Sequence, residues 1–274
     1  MVLYYALGGG LGHLTRATRV LEALGYRDRA VLLSASDYAR DPRVTDGLPV
    51  VHVPAALGRD PAAFRRWLVD LLGALAPDRL LVDSFPGGIL GELCGMELPP
   101  AEHVARRLRW PVYAQRLDGP LPRYEVTRVL EQLEQRHAQR LGLCSERLAQ
   151  LDLRPPDCAG GEPLLDRPHW LVVHSGPDAE VVALARRAAT RLREASSSAT
   201  VLVLCPQAPS WLPPGAEWRD VYPAAPFFGH AEKLVSAAGF NVMSETRAVR
   251  DRHDFVPYFR ALDDQHARAS ANCV

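Results

Sequence analysis

Residues able to do chemistry gather at three places in the chain. Gly8-Gly9-Gly10-Leu11-Gly12-His13 combines a backbone that lets a ligand approach closely with an imidazole that titrates near neutrality. It lies between the apolar run Val2 to Leu7 and a stretch with helical spacing expected to begin near Leu14 or Thr15, so it reads as a strand-to-helix turn whose helix start favours anions. On that helix start, the positive end of the dipole is expected to keep His13 neutral and available as a general base. A phosphate-binding P-loop would need Gly-Lys-Ser/Thr, and a dinucleotide fingerprint starting at Gly8 would need glycine where His13 stands, so neither motif is present. A tight turn with no ligand is the plainer alternative. Asp83, in LLVDSFPGG after another apolar run, is placed to orient His13, stabilise its imidazolium form or touch an acceptor. It reads equally as an Asx-type cap of the turn before Pro86.

The second place is LVSAAGFNVMSE, from Leu234 to Glu245, which reads as a strand, a glycine turn and a helix start whose N–H groups can hold a diphosphate. Glu245 is expected in the first turn, where a capping carboxylate is the commoner role. His174-Ser175-Gly176 ends another expected strand with a small loop that allows close backbone approach. The third place, Asp263-Asp264-Gln265-His266 with Arg268, packs two carboxylates beside an imidazole. Consecutive residues at a helix start point in different directions, so no metal site is expected there, and a solvated first turn is the ordinary reading.

The elements that must position these residues alternate. Strands are expected at Val2 to Leu7, Ala30 to Leu33, Val50 to Val53, Arg79 to Val82 and Pro111 to Ala114, with helices at Thr15 to Leu24, Pro61 to Ala76 and Ala101 to Leu108. A charged helical stretch is expected from Tyr124 to Leu151. After the proline- and glycine-rich segment, the rhythm resumes with strands at Trp170 to His174, Thr200 to Leu204, Arg219 to Tyr222, Lys233 to Ala237 and Phe255 to Pro257, and a helix at Val181 to Ala195. This predicts two α/β domains, 1–154 and 169–274, joined by a linker at 155–168. In such domains ligands bind where loops leave the carboxyl ends of the strands, and the three motifs lie there.

Taken together, GxGHxxR over Gly10 to Arg16, SAAGFNVMSE and DDQHARA resemble, in order and separation, the motifs of GT-B type glycosyltransferases of the MurG-like group. The resemblance implies two Rossmann-like domains facing a central cleft, with the C-terminal part shortened here. The first would carry the acceptor and the catalytic residues, the second the nucleotide sugar. It further implies that His13, oriented by Asp83, deprotonates an acceptor hydroxyl, and that the anomeric centre is inverted without a metal or other cofactor. The donor, with a UDP-sugar expected, would rest on Gly12, Ser175, Gly176, Gly239, Phe240, Asn241, Val242, Ser244 and Glu245, with Glu245 on the ribose hydroxyls and Asp264 and Gln265 on the sugar. The enzyme would be a hexosyl- or N-acetylhexosaminyltransferase. Its rivals are a PseG-type nucleotide-sugar hydrolase, which shares a GxGHxxR-like loop, and a non-catalytic nucleotide-sugar-binding subunit.

Composition agrees with a small or neutral partner. The 274 residues are 47% apolar, and 32 basic side chains balance 32 acidic ones, so no net field selects nucleic acid. No apolar run reaches the ~18 residues of a membrane span and the N-terminus lacks a secretory signal's basic region, so a cytoplasmic protein is expected, with peripheral membrane contact only if the acceptor is a lipid. Cys94, Cys144, Cys158, Cys205 and Cys273 are odd in number and lack a CxxC pair, so they are expected as reduced thiols.

Overall fold

The computed structural model describes residues 1–158 and 160–272, and the chain divides into two compact units. Unit 1 is Met1–Leu153 with Arg260–Asp264; unit 2 runs from Arg154 to Phe259 and resumes at Gln265.

Unit 1 contains β1 (Val2–Tyr5), α1 (Leu11–Ala23), β2 (Ala30–Ser34), α2 (Pro42–Thr45), β3 (Val50–His52), α3 (Pro61–Leu75), β4 (Arg79–Asp83), β5 (Ala101–Ala105), α4 (Trp110–Tyr113), β6 (Tyr124–Val129), α5 (Gln135–Cys144) and β7 (Ser145–Gln150). All seven strands run parallel in the order β3-β2-β1-β4-β5-β6-β7. The strand order reverses between β1 and β4, which makes their carboxyl ends the place where a Rossmann-like sheet receives a ligand. β1 is buried along its whole length and β4 from Leu80 to Asp83, as a parallel sheet covered on both faces requires. Phe64 and Leu68 of α3 pack on Leu3, Tyr5, Leu80 and Val82. That helix starts sharply because Pro61 occupies its first turn and the Asp60 carboxylate accepts from the N–H groups of Ala62 and Ala63.

Unit 2 contains β8 (His169–Val173), α6 (Asp178–Glu194), β9 (Thr200–Leu204), β10 (Glu217–Arg219), β11 (Lys233–Ala237), α7 (Phe240–Glu245), β12 (His253–Val256) and α8 (Gln265–Ser270). Its parallel order, β10-β9-β8-β11-β12, repeats the first five positions of unit 1 and reverses between β8 and β11. Val181, Leu184, Ala185, Ala188 and Leu192 recur at helical spacing and bury one face of α6 on Trp170, Val172, Val201 and Val203. The opposite face of the sheet packs on Phe228 and on Cys158, Leu164 and Leu165 of the proline-rich segment. Emptying one of these sites, as in Leu184→Ala, costs about 2–5 kcal/mol.

Several expectations are corrected. Ala101–Ala105 is a strand, because Glu102 and His103 are neutralised within the sheet: Glu102 receives Arg79 and Arg128 from the flanking strands, and the His103 ring faces Thr127. Trp110–Tyr113 is helical, with Pro111 tolerated in the first turn, so the strand expected at Pro111 to Ala114 is absent. The helix expected over Tyr124 to Leu151 is β6, α5 and β7; the charges of β6 form cross-strand pairs and do not define a helix face. The strand expected at Arg219 to Tyr222 ends at Arg219, and α1 begins at Leu11, earlier than Leu14. Cys94, Cys144, Cys158 and Cys205 form no disulfide, and Cys273 lies outside the described residues. Among the described residues no helix is long and apolar enough to cross a membrane.

Candidate active site

In unit 1 the loop after β1 and the last residue of β4 meet at the strand-order reversal. Asp83 ends β4 fully buried, and its carboxylate is held from several sides. Oδ1 accepts from Tyr4 Oη at 3.1 Å and Arg16 Nε at 2.7 Å; Oδ2 accepts from Arg16 Nη2, from the Ser84 hydroxyl at 3.2 Å and from His13 Nδ1 at 2.6 Å. Burial by itself would raise this carboxyl, but the Arg16 charge and the hydrogen bonds from His13 and Arg16 outweigh it and hold the group well below the usual carboxylate range. Asp83 is therefore an anion, and the Asx-cap reading is excluded because its oxygens are spent on side chains.

An ionised Asp83 places the imidazole proton on Nδ1 and leaves Nε2 as the basic nitrogen. The Nε2 edge of the ring lies over Gly8: a Cβ there would stand 2.2 Å from both Nε2 and Cδ2, and the φ of +155° also belongs to glycine. Gly8 thus makes room for the imidazole ring. Burial is the main cause that lowers the His13 pKa; Asp83 pulls it up, and Arg16 and Arg106 push it down. The ring is neutral at pH 7, chiefly through desolvation, with the helix end a secondary contributor at most.

Arg16 lies on the buried face of α1, three residues after His13, with its side chain 3% exposed. Its two-pronged bond to Asp83 repeats the geometry in which guanidinium and carboxylate fit best. Sequence reasoning placed Arg16 in a motif without giving it a task; its i, i+3 relation to His13 was the available signal. Tyr4, Ser84 and Arg106 were missed, and no local pattern marks them.

In unit 2 the loops after β8 and β11 likewise meet at a strand-order reversal. Gly239 precedes α7 in extended conformation, with no side-chain cap and no acidic residue in the first turn. The start of α6 is different: Asp178 and Glu180 sit in its first turn, where they oppose a second anion. Of the two helix starts, that of α7 is the less acidic. Helices α1, α6 and α7 follow strands at the reversals and lack a side-chain cap, as does α4 elsewhere, whereas α2, α3 and α5 are capped by Asp41, Asp60 and Glu134.

Ser175 and Gly176 lie in the loop after β8, where the His174 ring sits over Gly176, 2.3 Å from the position a Cβ would take, and Nε2 is 2.8 Å from Glu180 Oε2. Phe240, Asn241, Val242 and Ser244 lie in α7, with Phe240 and Ser244 buried. Glu245 is corrected: it is the last residue of α7, where the dipole disfavours a carboxylate, so it is no first-turn cap. Gly12 is the second residue of α1. Asp264 closes the segment counted with unit 1, while Gln265 opens α8 in unit 2 with its side chain buried and its Oε1 accepting from Tyr258 N at 3.0 Å. This replaces the expected solvated turn. Arg268, also buried, donates to Ala238 O at 3.1 Å beside the Gly239 turn. Among the described residues no three His, Cys, Asp or Glu side chains are grouped to hold a metal ion.

No protein-family model and no curated protein matches the sequence. The fold is matched by solved structures. The glycosyltransferase SnogD from Streptomyces nogalater is 15% identical with a TM-score of 0.58, over 95% of this chain and 82% of its own. MnaA from S. aureus, solved with UDP, is 11% identical with a TM-score of 0.62 over 98% and 82%. The glycosyltransferase SsfS6 from Streptomyces sp. SF2575, complexed with thymidine diphosphate, is 14% identical with a TM-score of 0.53 over 94% and 82%. Likeness at this identity is a likeness of fold, and with two all-parallel sheets of matching strand order the chain has the GT-B fold of two Rossmann-like α/β domains.

Proposed function

We propose that the chain is an inverting glycosyltransferase that moves a sugar from a nucleoside diphosphate to an acceptor hydroxyl without a divalent metal. The observation that carries this reading is the His13–Asp83–Arg16 constellation at the strand-order reversal of unit 1: a neutral imidazole over Gly8, oriented by a buried anion. His13 Nε2 removes the proton from the acceptor hydroxyl as its oxygen bonds to the anomeric carbon, and the bond from that carbon to the diphosphate oxygen breaks on the opposite face. Asp83 stabilises the imidazolium that results, and its ion pair with Arg16 keeps it anionic.

Unit 2 carries the donor in this reading. The departing nucleoside diphosphate bears the negative charge on Gly239, Phe240, Asn241 and Val242 at the start of α7, where aligned N–H dipoles do the work of a cation. Ser175, Gly176 and Ser244 complete the phosphate loop of unit 2, Glu245 binds the ribose hydroxyls, and Gln265 binds the sugar. Pyrimidine nucleoside diphosphates are the donors to test first, a UDP-sugar foremost, because UDP and thymidine diphosphate occupy structures of the same fold. Both hexosyl and N-acetylhexosaminyl donors belong in the panel.

The test is nucleotide release from UDP- and dTDP-sugars in EDTA, with and without a set of hydroxyl acceptors. Release that requires an acceptor and is lost in His13→Ala is the expected result. Equal release without acceptor overturns transfer, and absence of nucleotide binding overturns the whole reading.

A further inference from the structure

Asp263 belongs to the DDQH motif, yet its carboxylate is turned to the His13 network. Oδ1 receives Arg106 Nη1; Arg106 Nε donates to Ser84 Oγ at 3.0 Å; the same oxygen accepts Arg16 Nη2 at 2.9 Å; and the Ser84 hydroxyl donates to Asp83. Arg106 and Asp263 are 8% and 15% exposed, so this ion pair is largely out of water and weakly screened. Ser84 holds its place in the left-handed region, φ +64°, a conformation costly for serine that persists where surrounding bonds over-determine it. The backbone braces the same contact: Asp263 forms an isolated antiparallel bridge with Leu108, Arg109 N donates to Leu262 O at 2.9 Å, and Leu262 packs against the Phe85, Leu108 and Trp110 cluster.

Two guanidiniums converging on one hydroxyl repel each other unless each has its own anion. Arg16 has Asp83, and Arg106 has Asp263. We propose that Arg106 and Asp263 are positioning residues for His13: Asp263 holds Arg106 on Ser84, Ser84 receives Arg16 beside it, and Arg16 is thereby fixed on the carboxylate that orients the imidazole. Asp263 is thus assigned to the base and not to the donor sugar. The inference rests on the reading of His13 as the base.

The charged groups that face His13 are Asp83 from β4, Arg16 from α1 and Arg106 from the loop after β5, with Asp263 acting through Arg106. Removing the Arg106 charge therefore favours the imidazolium form. Removing the Asp263 charge takes a counter-charge away from Arg106 and disfavours it. The two changes have opposite signs, which a purely structural pair would not show.

The experiment is an NMR titration of the His13 ring in the full chain with labelled histidine, its signal assigned by its disappearance in His13→Asn. Arg106→Gln is expected to move the His13 midpoint up and Asp263→Asn to move it down, with Arg106→Lys near the parent. The acid limb of the kcat/KM profile should move with it, and nucleotide affinity should stay within about twofold. An unmoved midpoint in Asp263→Asn and in the charge-removing Arg106 variant overturns the proposal. If Arg106→Gln does not fold, Asp263→Asn carries the test, since it keeps the side chain's shape. The titration reads the network without turnover: a chain that transfers no sugar yet shows the opposed shifts would fail the functional reading alone.

Discussion

Each unit carries a histidine seated on a glycine just after the first strand of its sheet, and the two are wired differently. His13 sits over Gly8 and is held through Nδ1 by Asp83, 70 residues away on the neighbouring strand. His174 sits over Gly176 and is bonded through Nε2 to Glu180, six residues on in the first turn of α6, with its ring stacked on Tyr258. The same local device, a glycine that leaves room for a ring, seats the proposed base in one case and a loop histidine in the other. What separates them is which nitrogen is committed and whether the partner is a buried, arginine-paired anion.

The largest effect that tests this difference is His13→Ala. A general base supplies about 10²–10⁴-fold, so kcat/KM for transfer is expected to fall by roughly 10³, with nucleotide affinity by calorimetry within about twofold. His174→Ala should leave kcat within a few-fold; a comparable collapse there would erase the distinction. Gly8→Ala follows in size. Its methyl would occupy the Nε2 position, so His13 must leave its seat, and a loss of about 10² in kcat is expected; Gly176→Ala should instead raise the donor KM.

Stability sharpens the comparison next. Arg16→Met strands Asp83 as a buried anion and is expected to cost about 3–5 kcal/mol by chemical denaturation, whereas Glu180→Gln, which keeps the side chain's shape and an acceptor oxygen for His174, should cost only about 1 kcal/mol. Acid should also separate the units. Burial keeps three histidines neutral: His103 with its pKa lowered to about 4 and His137 to about 3 in unit 1, and His253 to about 3 in unit 2. Unfolded imidazole titrates near 6.5, so the unfolded chain binds the extra protons. The contribution is full above pH 6.5 and declines as pH falls toward the folded values, by about 3 kcal/mol for His103 and about 5 kcal/mol each for His137 and His253. Unit 1 should lose hydrogen-exchange protection before unit 2 between pH 6 and 4. Equal loss in both would contradict the assignment. A further effect is expected at the donor: Glu245→Ala should weaken nucleotide binding about tenfold and leave kcat at saturation unchanged.

Legibility followed the range of the interactions. Strands β1, β2, β4, β8, β9 and β11 were readable because parallel strands covered on both faces are continuous apolar runs, and α3 because Pro61 and its spaced apolar residues are local. Ala101–Ala105 was not, because a strand containing Glu102 and His103 looks polar until Arg79, Arg128 and Thr127 stand beside it. Glu245 was misplaced by the start of α7 alone: the helix begins directly after Gly239 and ends six residues later.

By itself the sequence determined two α/β halves, the glycine turns that follow their strands, and the residue types at those turns, since each depends on neighbours a few positions away. Only the tertiary structure decided that His13 meets Asp83, that Arg16 makes that carboxylate a permanent anion, and that Asp263 reaches Arg106 across 157 residues. The strand order brings these groups together, and burial gives their charges weight: a pair that water would screen to little becomes decisive once desolvated.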